Sequence, residues 1–143
     1  MKQMVFENFY QTPASLMRNG FDIINCSWRP TYVVVPTYHW DKRECYDWSV
    51  GAFSAVHPDS PYYNGYFRFE SHEKIKGGQL NAWGDFLGKL ENGLQVEFDA
   101  LLDRLPAIAE GTWNNKKDGD YDKFLCRHSR LAEIFDRIVK NAE

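Results

Sequence analysis

The chain reads as a single α/β domain with parallel strand pairing. Short apolar, β-branched runs alternate with helical patterns in the order strand, helix, strand, long connection, strand, helix, helix, which is the order of βαβ units. The 143 residues, 43% of them apolar, suffice for one domain with a core and are too few for two. About three strands are expected, so the parallel sheet is small.

Met4-Val5-Phe6 forms the first short strand. Thr12-Pro13 offers an N-cap with proline at the first helical position, and Ala14 to Arg18 makes a short helix ended by Asn19-Gly20. Phe21 to Cys26 is a compact apolar run with β-branched residues and predicts a buried strand. Tyr32-Val33-Val34-Val35 is β-prone until Pro36, which has no N–H for a ladder. From Thr37 to Glu73 the pattern is irregular and crowded with aromatics, including Tyr38, His39, Trp40, Tyr46, Trp48, Phe53, Tyr62, Tyr63, Tyr66, Phe67 and Phe69. Asp41 to Trp48 predicts a helical turn, and Pro58-Asp59-Ser60-Pro61 a tight turn. A connection this long without regular structure is uncommon in a compact domain, so a functional loop is expected.

Ile75 to Ala82 is the next strand. Gly93 to Ala109 predicts a helix with Val96, Phe98, Leu101, Leu102 and Leu105 on its buried stripe, and with Pro106 kinking or ending a turn. Trp113 is expected to pack behind it, with Arg104 and Glu110 forming a helix-surface or interhelix pair. Asp118-Gly119-Asp120 marks a loop. Tyr121 to Ala142 is an amphipathic closing helix carrying Phe124, Leu125, Leu131, Ile134, Phe135, Ile138 and Val139 at spacings of mostly three or four. There is no internal repeat and no low-complexity tract.

Composition excludes several function classes. The net charge of −3 comes from interspersed charges without a basic run, which argues against nucleic acid as a partner. No segment approaches the roughly 20 apolar residues a membrane-spanning helix needs, so no membrane partner is expected. The N-terminus lacks the apolar stretch of a signal peptide, which places the chain in the cytoplasm if it is complete and says nothing about the compartment of a longer parent. Cys26, Cys45 and Cys126 are odd in number and widely spaced, which suggests reduced thiols. His39, His57, His72 and His128 have no partner at metal-ligand spacing, so neither a metal nor another cofactor is expected. Asp118, Asp120 and Asp122 alternate around Gly119, but the carboxylate that would close a calcium loop at its twelfth position is missing, so they read as a solvated turn and a helix N-cap.

The stretch Gly77-Gly78-Gln79-Leu80-Asn81-Ala82-Trp83-Gly84-Asp85 ends an apolar strand in an indole with a carboxylate two residues on. Alternate side chains of a strand share a face, so Trp83 and Asp85 address one ligand if the extended geometry continues through Gly84. An apolar plate covers the C–H face of a pyranose while a carboxylate accepts from ring hydroxyls. The competing reading is a core tryptophan followed by a Gly-Asp turn.

That stretch, followed by Arg104-Leu105-Pro106-Ala107-Ile108-Ala109-Glu110 and Trp113-Asn114, resembles the end of the barrel domain of glycoside hydrolase family 20, the β-N-acetylhexosaminidases. Those enzymes typically carry Gly-Gly and then Trp-Gly-Glu on the last strand, and later Arg-Leu-Pro-Ala-x-Ala-Glu-x-x-Trp. Ile23-Ile24-Asn25-Cys26-Ser27-Trp28 resembles the preceding strand, and Val5-Phe6-Glu7 the one before, where the family usually has Trp at the place of Phe6. The resemblance covers nearly the whole chain, residues 1–143 as one domain, and implies a partial (β/α) TIM barrel: about the last three strand-helix units with a closing C-terminal helix. A whole barrel has about 250 residues and places its site at the C-terminal ends of the strands.

By resemblance, Trp83 is the indole under the terminal sugar and Asp85 stands where the family has a Glu binding the outer hydroxyls. Trp28 matches a wall of the acetamide pocket. The family's acetamide-binding Tyr would follow it; Arg29 stands there, and Tyr32 is the nearest phenol. In the family an adjacent Asp-Glu pair supports substrate-assisted hydrolysis, Glu protonating the glycosidic oxygen while the sugar's own acetamide attacks. No Asp-Glu dipeptide occurs in the chain, so no catalytic residue is assigned and the isolated chain is expected to be inactive. The implied partner is an N-acetylhexosamine-containing glycan. Alternative readings are a non-catalytic carbohydrate-binding module and an association module, in which the exposed edges of a partial barrel bind a second copy or a complementing chain.

Overall fold

The computed structural model of the protein describes residues 1–5, 11–36, 38–54, 66–113 and 120–140. Phe6, Glu7, Thr37, His57, the Pro58–Pro61 turn, Tyr62, Tyr63, Asn114, Asp118, Gly119 and Ala142 lie outside these, as do the side chains of Tyr38, His39 and Val139. The chain is mixed α/β with small parallel sheets. Strand β1 (Lys2–Val5) is followed by α1 (Pro13–Arg18) and β2 (Asp22–Asn25), and β7 (Ile75–Gly78) completes a three-stranded sheet in the order β1-β2-β7. Both pairings are parallel, with Val5 opposite Asn25 and Asn25 opposite Gly78.

Helix α1 forms as its sequence requires. The Thr12 hydroxyl accepts from the Ser15 N–H at 3.2 Å, Pro13 fills the first turn, and the helix stops at Asn19. Its buried face, Leu16 and Met17, packs with Val5, Ile23 and Phe53.

At the C-terminal end of β2 the apolar run stops at a buried amide. The Asn25 carboxamide donates to the carbonyls of Val50 and Ala52, both at 2.8 Å, and its oxygen accepts from the Ser27 N–H at 2.9 Å and from the Ser27 hydroxyl. The Ser27 Oγ in turn accepts from the Ser54 N–H at 3.1 Å, and the Ser54 hydroxyl bonds both the N–H and the carbonyl of Arg29 at 2.9 Å. Asn25, Ser27 and Ser54 are buried, so these bonds replace water that has been excluded.

Of the segment expected as a long structureless loop, the described residues 38–54 and 66–73 contain regular elements. After a single turn at α2 (Trp28–Thr31), β3 (Tyr32–Val34) pairs antiparallel with β4 (Tyr38–His39) and parallel with β8 (Asn81–Ala82). Helix α3 (Lys42–Asp47) is capped by the Asp41 carboxylate, which accepts from the Glu44 N–H at 2.7 Å. Strand β5 (Ala52–Ser54) then pairs antiparallel with β6 (Tyr66–Arg68). Among the described aromatics of this region Tyr66 is exposed, Trp40, Phe67 and Phe69 are half-buried, and Tyr46, Trp48 and Phe53 are buried. Gly78 permits this, since a Cβ there would lie 2.6 Å from the Trp48 ring. The single strand expected over Ile75 to Ala82 is two, β7 and β8, in different sheets, because the Gln79 N–H bonds the Asn25 carbonyl at 2.9 Å and the chain then crosses to β3.

A one-turn 3₁₀ helix, Leu87–Lys89, precedes α4 (Gly93–Trp113), which runs past Pro106 rather than ending near it. Its buried residues are Gly93, Glu97, Arg104, Ala107, Ile108 and Gly111. The expected apolar stripe is therefore not the packed face: Val96, Phe98 and Leu105 are exposed. Small residues win because they allow close approach; a Cβ on Gly111 would lie 2.6 Å from the Trp48 carbonyl. Trp113, expected to pack, is 89% exposed. The expected Arg104–Glu110 pair does not form: Arg104 is buried and lies 3.6 Å from Asp103, while Glu110 pairs with Arg127 at 3.0 Å.

Helix α5 (Tyr121–Lys140) is capped by Asp120, whose carboxylate accepts from the Asp122 N–H at 3.1 Å. It docks through its first two turns, where Phe124 and Tyr121 meet Tyr46 at 4.8 and 5.1 Å between centroids. Beyond them His128 stacks on Phe124, and its Nδ1 faces Lys42 Nζ at 3.2 Å while Lys42 pairs with Asp103 at 2.5 Å. Burial first, and then the Lys42 ammonium, lowers the His128 pKa from 6.5, with Asp103 opposing.

Two predictions follow from these contacts. Replacing Asn25 with Ala strands the Val50 and Ala52 carbonyls and Ser27, so urea unfolding should show a loss of about 3 kcal/mol; an unchanged midpoint would mean the amide is not holding β2 to β5. For His128, a lowered folded pKa means that the unfolded chain takes up the proton more readily. The contribution is present above 6.5 and is lost as pH falls through the folded value. The unfolding midpoint should therefore decline between about pH 7 and pH 5, and His128→Gln should flatten that decline.

Candidate functional site

The candidate site lies where the parallel strands end. Trp28 follows β2, and Trp83 follows β8 just beyond β7. In the β3–β8 ladder Tyr32 stands opposite Asn81 and Val33 opposite Ala82, and the Trp83 N–H reaches the Val33 carbonyl at 3.4 Å. Trp83 is thereby a diagonal neighbour of Tyr32, and the rings stack with centroids 5.7 Å apart and planes 24° from parallel. Tyr32 is buried, whereas Trp83 is 53% exposed. The indole is a plate backed by a phenol and open to solvent, which sets aside the core-tryptophan reading.

The condition that would have put Trp83 and Asp85 on one strand face is not met. Strand β8 ends at Ala82, and Gly84 adopts φ +65, a left-handed conformation that turns the chain. The Gly84 N–H donates to Glu97 Oε1 at 2.9 Å, and Glu97 is a buried carboxylate of α4. A side chain at 84 would also meet Leu87 at 3.0 Å. Asp85 lies past this turn and is exposed. Its carboxylate belongs to the rim loop that Glu97 holds, not to an alternating strand.

Trp28 packs on Trp40, edge to face, with centroids 4.9 Å apart and planes at 71°. The Trp40 indole N–H donates to the Trp28 carbonyl at 3.3 Å. The Arg29 guanidinium lies 4.7 Å over the Trp40 ring and pairs with Glu44 of α3. Arg104 supports the same corner from α4, donating to the Trp40 carbonyl at 2.5 Å and to the Ala100 carbonyl at 2.7 Å. Of the expected site residues, then, Tyr32 and Trp83 are brought together, Trp28 is set in a corner with Trp40, and Asp85 sits on the turn.

Trp40, Arg29, Glu44 and Glu97 were not expected at the site. Glu97 carried one signal: it shares a helical face with Gly93, Arg104 and Gly111, and small and charged residues at that spacing mark a face that approaches other backbone.

The described residues contain no cluster of three or more His, Cys, Asp or Glu able to hold a metal ion. No helix among them is long and apolar enough to cross a membrane. Burial pushes the Cys26 thiol up to about 11 and the Cys45 thiol up to about 12. Neither buried thiol is poised as a nucleophile. Cys126 is exposed and free.

No protein-family model matches the chain, and no curated protein and no solved structure matches it.

The thiol environments yield a direct check. A chromogenic disulfide reagent should titrate one thiol, Cys126, in the native protein and all three in denaturant. Rapid native reaction of two or three would contradict the burial of β2 and α3.

Proposed function

We propose that the chain is the sugar-recognising C-terminal portion of a (β/α) barrel similar to that of the family 20 β-N-acetylhexosaminidases, binding a terminal N-acetylhexosamine but not hydrolysing it alone. The observation that carries this reading is the half-exposed Trp83 plate, backed by Tyr32, at the C-terminal end of parallel strands. A pyranose stacked there would bury its C–H face on the indole, while Asp85 on the adjoining turn would accept from outer hydroxyls. Trp28 with Trp40 would wall the acetamide side. Tyr32 takes a different role from the one its resemblance implies: it is buried beneath Trp83, so it stiffens the plate rather than reaching the acetamide.

The partial barrel is supported by the β1-β2-β7 sheet, in which both pairings are parallel and α1 connects the first two strands, with the segment from α2 to β6 inserted before the third. With no Asp-Glu dipeptide in the 143 residues, the acid that would protonate the glycosidic oxygen has to come from other sequence. A parent enzyme would then work by the substrate-assisted retaining route, and this chain would supply the floor and rim of its sugar pocket.

Calorimetric titration with N-acetylglucosamine and N-acetylgalactosamine tests this reading. Binding should be millimolar or tighter and should weaken about tenfold in Trp83→Ala, in keeping with the loss of one stacking platform. The chain should release no chromophore from a chromogenic N-acetylglucosaminide. Absence of binding to both sugars would remove the proposal, and turnover by the purified chain would refute the missing acid.

A further inference from the structure

Among the described residues Glu97 is the only buried carboxylate, 6% exposed. A carboxylate withdrawn from water is costly unless a donor meets it. Here the donor is the Gly84 N–H, 2.9 Å from Oε1. The other oxygen faces the same glycine, since Oε2 lies 3.9 Å from the point a Gly84 Cβ would occupy. Glu97 therefore reaches from the first turns of α4 to the one residue between Trp83 and Asp85. A bond from a backbone N–H to an ionised acceptor is short and strong, and it selects one conformation of a glycine that is free to take several.

The two sides of that glycine are held by different parts of the fold. Trp83 is fixed from upstream, by the β3–β8 ladder and by its stack on Tyr32. Asp85 is fixed from downstream. Past Gly84, at φ +65, the Leu87 N–H returns to the Gly84 carbonyl at 3.2 Å, and the Gly93 N–H bonds the Leu90 carbonyl at 3.2 Å. Gly93 lets the loop close on the start of α4, because a Cβ there would lie 2.4 Å from the Leu87 carbonyl. The loop is thus folded back on α4, and Asp85 is the exposed carboxylate that it presents next to the plate. Losing the Glu97 acceptor would release the Gly84 turn and move Asp85 while the ladder kept Trp83 in place.

We infer that Glu97 is the positioning residue of the sugar site: it fixes the Gly84 turn, and through it the place of Asp85 beside Trp83, without touching the ligand. This rests on the sugar-binding reading above. The test is a nuclear magnetic resonance titration of the full 143-residue chain with N-acetylglucosamine and with its 4,6-dideoxy analogue, which lacks the outer hydroxyls. Asp85→Ala should weaken binding of N-acetylglucosamine about tenfold, Glu97→Ala by the same factor, and the double variant no further. Glu97→Gln keeps an acceptor oxygen at the same reach and should recover most of the affinity. The dideoxy analogue should bind the unaltered chain, Asp85→Ala and Glu97→Ala alike, which a general loosening of the fold would not produce. Gly84→Ala, strained at φ +65 and placing a Cβ 3.0 Å from Leu87, supplies the same cycle with Asp85→Ala if Glu97→Ala does not fold. Trp83-dependent binding with additive losses at positions 85 and 97, or with no loss in Glu97→Ala, would overturn this inference alone. No binding of N-acetylglucosamine by the unaltered chain would remove the sugar reading and this inference with it.

Discussion

The Asn25 carboxamide is the constraint on which the rest of the structure depends. It lies at the end of the central strand, where a parallel sheet must hand its chains over to loops and where backbone groups lose their ladder partners. By donating to Val50 and Ala52 and accepting from Ser27, one side chain closes that end against the segment carrying Trp48 and β5. Its own carbonyl receives the Gln79 N–H, so β7 leaves the sheet at the same point. A hydrophobic residue of similar size would fill the space and strand these groups, at a cost that a small domain with two modest core clusters would feel.

The aromatic corner is positioned by polar contacts of the same kind. Glu97 holds the Gly84 turn and Arg104 holds the Trp40 carbonyl, both from the buried face of α4. That face is small and charged because it must approach backbone: Gly111 lies against Trp48, and Trp48 itself lies against Gly78. The consequence is a partly inverted helix, with Leu94, Val96, Phe98 and Leu105 turned outward while Ile108 stays buried. Placement of the Trp83 plate and exposure of the apolar stripe of α4 thus share one cause.

This inversion also explains what could be read from the sequence. The three parallel strands, the Thr12-Pro13 helix start, the Asp120 cap and the closing helix were legible, because each is set by local pattern and capping chemistry. The buried face of α4 was not, since periodicity identifies an apolar stripe without saying whether anything covers it. The Trp83 plate was legible as an aromatic at a strand end. Its partnership with Asp85 was not, because Gly84 fits both an extended chain and a left-handed turn, and the choice is made by Glu97, thirteen residues on. Asn25 stood in the motif without a visible role, as its partners at Val50 and Ala52 lie across a segment with no regular pattern.

The central claim is that Asn25 ties β2, β5 and the exit of β7 into one cooperative unit beneath the site. Hydrogen exchange of the Asn25 Nδ2 protons, followed by nuclear magnetic resonance on the amide-labelled chain, measures this most directly. The account predicts two resolved side-chain protons that exchange only through global unfolding, as slowly as the most protected backbone amides of β2. Side-chain protons that exchange freely while the β2 amides stay protected would contradict it.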